Sequence, residues 1–72
     1  MTNTPAVGSL WQRGGWIKSV DEVDYAVIVC NYHRVQGFRR TRWSMTRFSV
    51  MSRATWARWA RHATEIDVMP LD

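Results

Sequence analysis

A mostly apolar run at residues 25–32, which includes Val27, Ile28 and Val29, most constrains how this chain can fold. β-Branched residues favour strands, and a strand that is apolar on both faces lies buried between neighbouring strands. The run is far shorter than the roughly 20 residues that a membrane-spanning helix needs. A chain of 72 residues has room for one domain with a compact core. The sequence therefore predicts one small sheet with this run as its central strand, and it disfavours an all-helical fold.

The segments before this run predict a hairpin. Residues 7–12 are expected to open a strand, and residues 16–20 to return beside it. Gly14 and Gly15 lie between the two, and glycine supplies the positive φ that a tight turn requires. The polar residues 21–24 then predict a second turn before the central strand.

An arginine-rich strand is predicted at residues 38–45, after a connection at residues 33–37. Its alternation gives one face of Thr41, Trp43 and Met45 and an opposite face of Arg40, Arg42 and Ser44. At Thr46 and Arg47 the alternation changes phase, which indicates a turn or a β-bulge.

A change of period from two to 3.6 residues then marks a helix. Ser52 is the predicted N-cap of a helix over residues 53–63. The apolar stripe of this helix consists of Trp56, Trp59, Ala60 and Ala63. Residues 64–69 alternate again, and they predict a short closing strand before Pro70.

Together these elements predict a mostly β, α+β fold. Four or five short strands would form a small curled sheet or barrel, covered by one helix near the C-terminus. A flat three-stranded sheet packed on the helix is the alternative. We expect a flexible N-terminus at residues 1–6, a single domain at residues 7–69 and a C-terminal tail at residues 70–72.

The single cysteine, Cys30, lies within the central run. It has no second cysteine with which to form an intramolecular disulfide, and free cysteine is among the most buried residue types. We therefore expect a buried core thiol in a protein of a reducing compartment, the cytoplasm. The N-terminal residues lack the basic and apolar regions of a signal peptide, so neither export nor a membrane role is expected.

Positive charge is concentrated in one half of the chain. Between Asn31 and Thr64 there are eight arginines and no acidic residue. A guanidinium group binds phosphates and carboxylates through a planar fork of donors, and it stacks on aromatic rings. This half of the chain is therefore typical of a surface that contacts anions, and ordinary solvated charges are the plainer alternative.

No catalytic, metal or cofactor site is predicted. The single cysteine and two histidines, His33 and His62, match no zinc-binding spacing. The acidic cluster at residues 21–24 falls in a predicted exposed turn, where nothing supports acid–base catalysis. Phosphate-binding glycine motifs do not occur. We therefore expect a non-enzymatic binding module without a cofactor.

Residues 39–48, RRTRWSMTRF, resemble small proteins of actinobacterial phages and mobile elements, in which R-R-T-R and a hydrophobic residue are followed by R-F. Gly8 and Trp11 match the G-x-x-W/Y pattern with which those proteins open. The resemblance implies a small SH3-like β-barrel, usually of unassigned function. This chain departs from the pattern because it lacks the polar, proline-containing segment after the opening aromatic and adds the helix with Trp56 and Trp59.

Two kinds of partner fit these features. The first is nucleic acid in the host-cell cytoplasm, with arginines on the phosphates and Trp43 stacked on an unpaired base. The candidate binding residues are Arg39, Arg40, Arg42, Trp43, Arg47, Arg58 and Arg61. The alternative is a host protein that the module binds and modulates, or a second copy in a homo-oligomer. Buried tryptophans would favour phosphate binding, whereas tryptophans exposed in an apolar patch would favour a protein partner.

Overall fold

The computed structural model describes residues 4–35 and 42–70. Within these residues the elements follow in the order β1 (Leu10–Arg13), β2 (Trp16–Val23), β3 (Ala26–Val35), β4 (Arg42–Ser52), α1 (Arg53–Ala60) and β5 (Thr64–Ile66). The strands form one antiparallel sheet with the order β4-β3-β2-β1-β5. The predicted mostly β fold with one helix near the C-terminus is confirmed. The sheet is open, with β4 and β5 at its edges.

The first hairpin forms around Gly14, whose φ is 59°. This positive φ lets Arg13 pair directly with Trp16 across the turn. β1 begins at Leu10, later than predicted, because the chain before it makes a turn of its own. There Gly8 has a φ of 90°, and the Ser9 N–H donates to the Ala6 carbonyl at 3.1 Å.

The turn predicted at residues 21–24 is wrong in its position. β2 continues to Val23, and its register with β3 shifts between Val20 and Glu22. This shift leaves Asp21 as a bulged residue and returns Val23 to the apolar face, where it packs against the core. The chain reverses direction between the end of β2 at Val23 and the start of β3 at Ala26, where the Asp24 N–H donates to the Ala26 carbonyl at 3.0 Å.

β3 and β4 form the longest pair in the sheet. β3 extends to Val35, so His33 lies in the strand and pairs with Trp16, whereas the sequence placed it in a connection. The change of phase at Thr46 is a β-bulge within a continuous β4, opposite the step from Asn31 to Tyr32. The Thr46 hydroxyl donates to the Asn31 carbonyl at 3.2 Å.

The helix begins at the predicted cap. Ser52 has extended backbone angles, and its hydroxyl accepts a hydrogen bond from the Thr55 N–H at 3.1 Å. The helix ends at Ala60 and not at Ala63, because the final turn tightens. In that turn the Ala63 N–H donates to the Ala60 carbonyl at 3.0 Å, and the chain enters β5 at once.

The core lies between the sheet and α1. Trp56 is buried with Val20, Val27 and Val29. We call this side of the sheet the helix face. The other side also buries side chains, since Ile17 is 0% and Cys30 is 4% exposed, and the expected burial of the thiol is confirmed.

That second side is crossed by the chain that follows β5. Trp43 lies on it, paired with Arg34, and the Trp43 indole N–H donates to the Pro70 carbonyl at 3.0 Å. We call this side the tail face. One hydrogen bond therefore links the edge strand β4 to the segment that leaves the opposite edge strand β5.

Candidate nucleic-acid interface

Two of the predicted arginines share the helix face. Arg42 is paired with Val35 and Arg47 with Asn31 in the β3–β4 ladder. Residues directly opposite in an antiparallel pair present their side chains on the same face, and Val35 and Asn31 have the same parity in β3. Both arginines are exposed. The structure therefore brings Arg42 and Arg47 together on one side of the sheet, whereas Arg39 and Arg40 fall outside the described residues.

Trp43 lies on the other side of β4 from these arginines. It is half-buried, and its indole N–H is held by the Pro70 carbonyl on the tail face. Its aromatic ring is thus separated from Arg42 and Arg47 by the sheet itself. The alternation in the sequence placed Trp43 and Arg42 on opposite faces of this strand, and the pairing of β4 with β3 confirms it.

An aromatic pair that the sequence did not single out occupies the helix face instead. Trp16 and His33 are paired across β2 and β3, with ring centroids 5.8 Å apart and an interplanar angle of 49°. Trp16 is 49% exposed. The alternation in β2 places Trp16, Lys18 and Val20 on one face, so it could have indicated the position of Trp16. The contact with His33 was missed because the sequence placed His33 in a connection and not in β3.

A polar cluster lies next to this pair. Asn31, which is 5% exposed, accepts a hydrogen bond from the Lys18 ammonium. Its side-chain amide also donates to the Ser49 hydroxyl at 2.7 Å and to the Arg47 carbonyl at 3.0 Å. The Lys18 Nζ lies 5.1 Å from the centroid of the Trp59 ring, and burial lowers the pKa of this ammonium. These contacts hold a cation in a fixed position on the helix face.

The cations on this face have no acidic partner in residues 4–35 and 42–70. We define the basic surface as Arg13, Trp16, Lys18, His33, Arg42 and Arg47. Within the residues that the structure describes, none of the arginines or the lysine in this set makes an ion pair with a carboxylate. Their charge is therefore available to an external anion.

The acidic residues Asp21, Glu22 and Asp24 lie at the opposite end of the sheet. They surround the β2–β3 turn, whereas Arg13, Arg42 and Trp16 lie at the end where β1 turns into β2. β3 has ten residues, which corresponds to roughly 30 Å of strand between the two ends. Three acids are thus separated from this end along the strands, and Glu65, which pairs with Trp11 in β1, is the described acid on the helix face nearest to Lys18 and Arg13.

No family model matches the chain, and no curated protein or solved structure matches it. Function must therefore be inferred from the residues themselves. In residues 4–35 and 42–70, no three His, Cys, Asp or Glu side chains are grouped so that they could hold a metal ion. The same ranges contain no helix with the length and apolar character needed to cross a bilayer.

The last two predicted site residues lie on and after α1. Arg58 is exposed and donates to the Thr55 hydroxyl at 3.4 Å. Arg61, also exposed, follows the last helical residue as its C-cap. α1 packs on the part of the helix face that carries Val27 and Val29, so Arg58 and Arg61 belong to a different layer of the fold from the arginines of β4.

Proposed function

We propose that this chain binds single-stranded nucleic acid through the basic surface. The observation that carries the proposal is the position of a half-exposed indole, Trp16, among cations that have no carboxylate partner within residues 4–35 and 42–70. Arg13, Arg42 and Arg47 would contact phosphates, and Trp16 would stack on an unpaired base. Aromatic side chains interleaved with positive charge are typical of surfaces that bind single strands without sequence preference.

The geometry of the aromatic pair favours a single strand over a duplex. His33 supports one side of Trp16, and the exposed remainder of the indole is available to a base. A duplex keeps its bases stacked inside and offers a surface like this only its phosphates. In sequence, Arg39 and Arg40 lie between β3 and β4, so they would add cations close to Arg42.

We also propose a biological setting for this module. The module would be non-enzymatic and would act in the cytoplasm of a host cell as a phage-type accessory protein. Support for the phage origin comes from the resemblance carried by residues 39–48 and from nothing in the fold. The alternative partner is a host protein, which arginine and tryptophan side chains of the candidate residues would anchor.

The test is a binding titration with fluorescently labelled single-stranded and double-stranded DNA and RNA over a series of salt concentrations. The logarithm of the affinity should fall linearly with the logarithm of salt concentration, with a slope of about −0.7 for each phosphate contact on a single strand. The Arg42→Ala/Arg47→Ala double variant should make the slope shallower by about 1.4. Absence of binding at low salt would overturn the proposal.

The contribution of Trp16 is tested separately. Trp16→Ala should weaken single-strand binding by roughly 5-fold to 100-fold, as expected for the loss of one base–aromatic stack, and should leave duplex binding nearly unchanged. Tyr25→Ala is the matched control, because Tyr25 is 93% exposed at the acidic end of the sheet. An equal loss in both variants would contradict the placement of the base on Trp16.

A further inference from the structure

The outer edge of β4 has no strand beside it. β4 pairs with β3 on one side, and in the described residues no strand pairs with its other side. An unpaired edge presents a row of backbone N–H and C=O groups that can pair with another strand. Natural edges are usually protected by charged side chains, proline or a bulge. In β4 the bulge lies at Thr46, so it protects the first half of the strand, from Arg42, and leaves the half after it unprotected.

The other half of β4 carries exposed apolar side chains. Phe48 is 58% and Val50 is 71% exposed. They are paired with Cys30 and Ile28, so both lie on the tail face and are neighbours along the strand. Residues 48–52 contain neither a charged residue nor a proline. This segment therefore combines a free backbone edge with an apolar surface and lacks the usual protection.

We propose that this edge pairs with the same edge of a second copy, antiparallel about a two-fold axis at Ser49. In this register Phe48 lies opposite Val50 of the second copy, and the reciprocal contact repeats on the other side of the axis. Aromatic and β-branched side chains in directly opposite positions stabilise a sheet. A two-fold axis perpendicular to the sheet keeps both tail faces on one side, so the apolar side chains of the two copies meet.

Charge also fits this register. Arg47 lies opposite Met51 of the second copy, so no two like charges face each other across the pair. The two copies of Arg47 would lie roughly 14 Å apart, four strand positions along and one strand across. The segment is thus self-complementary in both shape and charge, which is what an isologous contact between identical chains requires.

The dimer would be weak and would depend on concentration. The exposed apolar area of Phe48, Val50 and the neighbouring Met45, which is 56% exposed, is on the order of 300 Å² per copy. A standard stable interface buries about 800 Å² per partner. We therefore expect a dissociation constant in the micromolar range, with monomer at high dilution.

The first experiment measures molar mass by sedimentation velocity from low to high micromolar concentration. The full chain should pass from monomer to dimer, and Val50→Lys should move the midpoint at least 10-fold higher in concentration. Val68→Lys is the matched control, because Val68 is equally exposed, at 72%, and lies outside β4. Monomer at every concentration, or an equal effect of the two variants, would overturn the proposal.

A cysteine cross-link tests the register. Ser49→Cys places identical thiols opposite each other across the two-fold axis, within the distance that a disulfide can bridge. Ser44→Cys is the control on the same strand, since position 44 would face no thiol. A covalent dimer of the Ser49→Cys variant alone supports the proposal, and equal cross-linking of both variants contradicts it. Cys30 is buried and should not cross-link.

Discussion

The edge of one indole meets the face of another where Trp11 contacts Trp56, with ring centroids 5.6 Å apart and an interplanar angle of 89°. This contact joins the β1–β2 hairpin to α1. Trp56 also lies 5.6 Å from Trp59, centroid to centroid, so the helix is attached to the sheet through a group of three indoles. Because Trp56 is 2% exposed, it is the largest fully buried side chain of the small core.

Removal of this indole should destabilise the domain severely. Trp56→Ala is expected to lower the free energy of unfolding by about 3–5 kcal/mol, the range for a buried large aromatic. That loss is comparable to the total stability of many domains of this size. Trp16→Ala, at a half-exposed position, should cost less than half as much. Chemical denaturation followed by circular dichroism measures both, and similar losses would contradict the assignment of Trp56 to the core.

The amide of Asn31 holds together the polar cluster on the helix face. Asn31→Ala would leave the Lys18 ammonium, the Ser49 hydroxyl and the Arg47 carbonyl without this partner. We expect a loss of about 2 kcal/mol, since each unsatisfied buried polar group costs about 1–3 kcal/mol. If the unpaired cation carries part of the cost, then Lys18→Met should be less harmful in the Asn31→Ala background than in the wild type. Simple additivity in this double-mutant cycle would contradict the coupling.

Lys18 should also give the stability a pH dependence. Burial lowers the pKa of its ammonium below the ordinary value of 10.5. Between the lowered pKa and 10.5 the unfolded chain binds more protons than the folded chain, so stability rises with pH in that window. The wild type should therefore gain stability relative to Lys18→Met as the pH approaches 10.5, measured by urea unfolding. Parallel pH profiles would contradict this expectation.

Tyr32 also titrates in the alkaline range, but it does not affect the difference in stability between the wild type and Lys18→Met. Its pKa is raised, first by the side-chain hydrogen bond with Cys30 and then by burial. A raised tyrosine pKa makes stability fall as the pH rises above the ordinary value near 10. This contribution is present in the wild type and in Lys18→Met alike, so it cancels in the difference between them.

The N-cap hydrogen bond of Ser52 should contribute to the stability of the domain. Ser52→Ala removes the acceptor for the Thr55 N–H and should cost about 1 kcal/mol. Ser52→Asp should retain most of the stability, because a carboxylate also caps and interacts favourably with the helix N-terminus. Ser44→Ala, at an exposed position in β4, is the control and should be nearly neutral. Equal thermal midpoints for the Ser52→Ala and Ser44→Ala variants would show that the cap contributes nothing.

Local patterns in the sequence were sufficient for several elements of the fold. The apolar run predicts an interior strand, which is β3, although β2 and not β3 is the middle strand of the sheet. The phase change at Thr46 indicates the bulge, and Ser52 marks the start of the helix. Each of these depends on side-chain period or on a hydrogen bond within a few residues. The end of β2 was missed because Asp21 and Glu22 resemble a turn, whereas the structure accommodates them through a bulge that returns Val23 to the core.

The candidate site was harder to predict because it depends on pairing between strands. Arg42 and Arg47 were found from composition, and their common face follows from parity once the bulge is known. The proximity of Trp16 to His33 requires the register of β2 on β3, which the Asp21 bulge shifts by one residue. Trp43 was predicted to stack on a base, whereas its indole N–H donates to the Pro70 carbonyl. This contact could not be predicted because the two residues are distant in sequence.

The hydrogen bond from Trp43 to Pro70 should protect the tail face. Trp43→Phe keeps the apolar ring but removes the donor, so we expect a loss of about 1 kcal/mol and more frequent opening of the segment after β5. Cys30 reports this opening, because it lies on the same face and is 4% exposed. The rate at which a thiol reagent labels Cys30 in the folded protein should rise several-fold in Trp43→Phe, while Trp16→Phe, on the helix face, should leave it unchanged. Equal labelling rates in the two variants would mean that the tail does not cover the thiol.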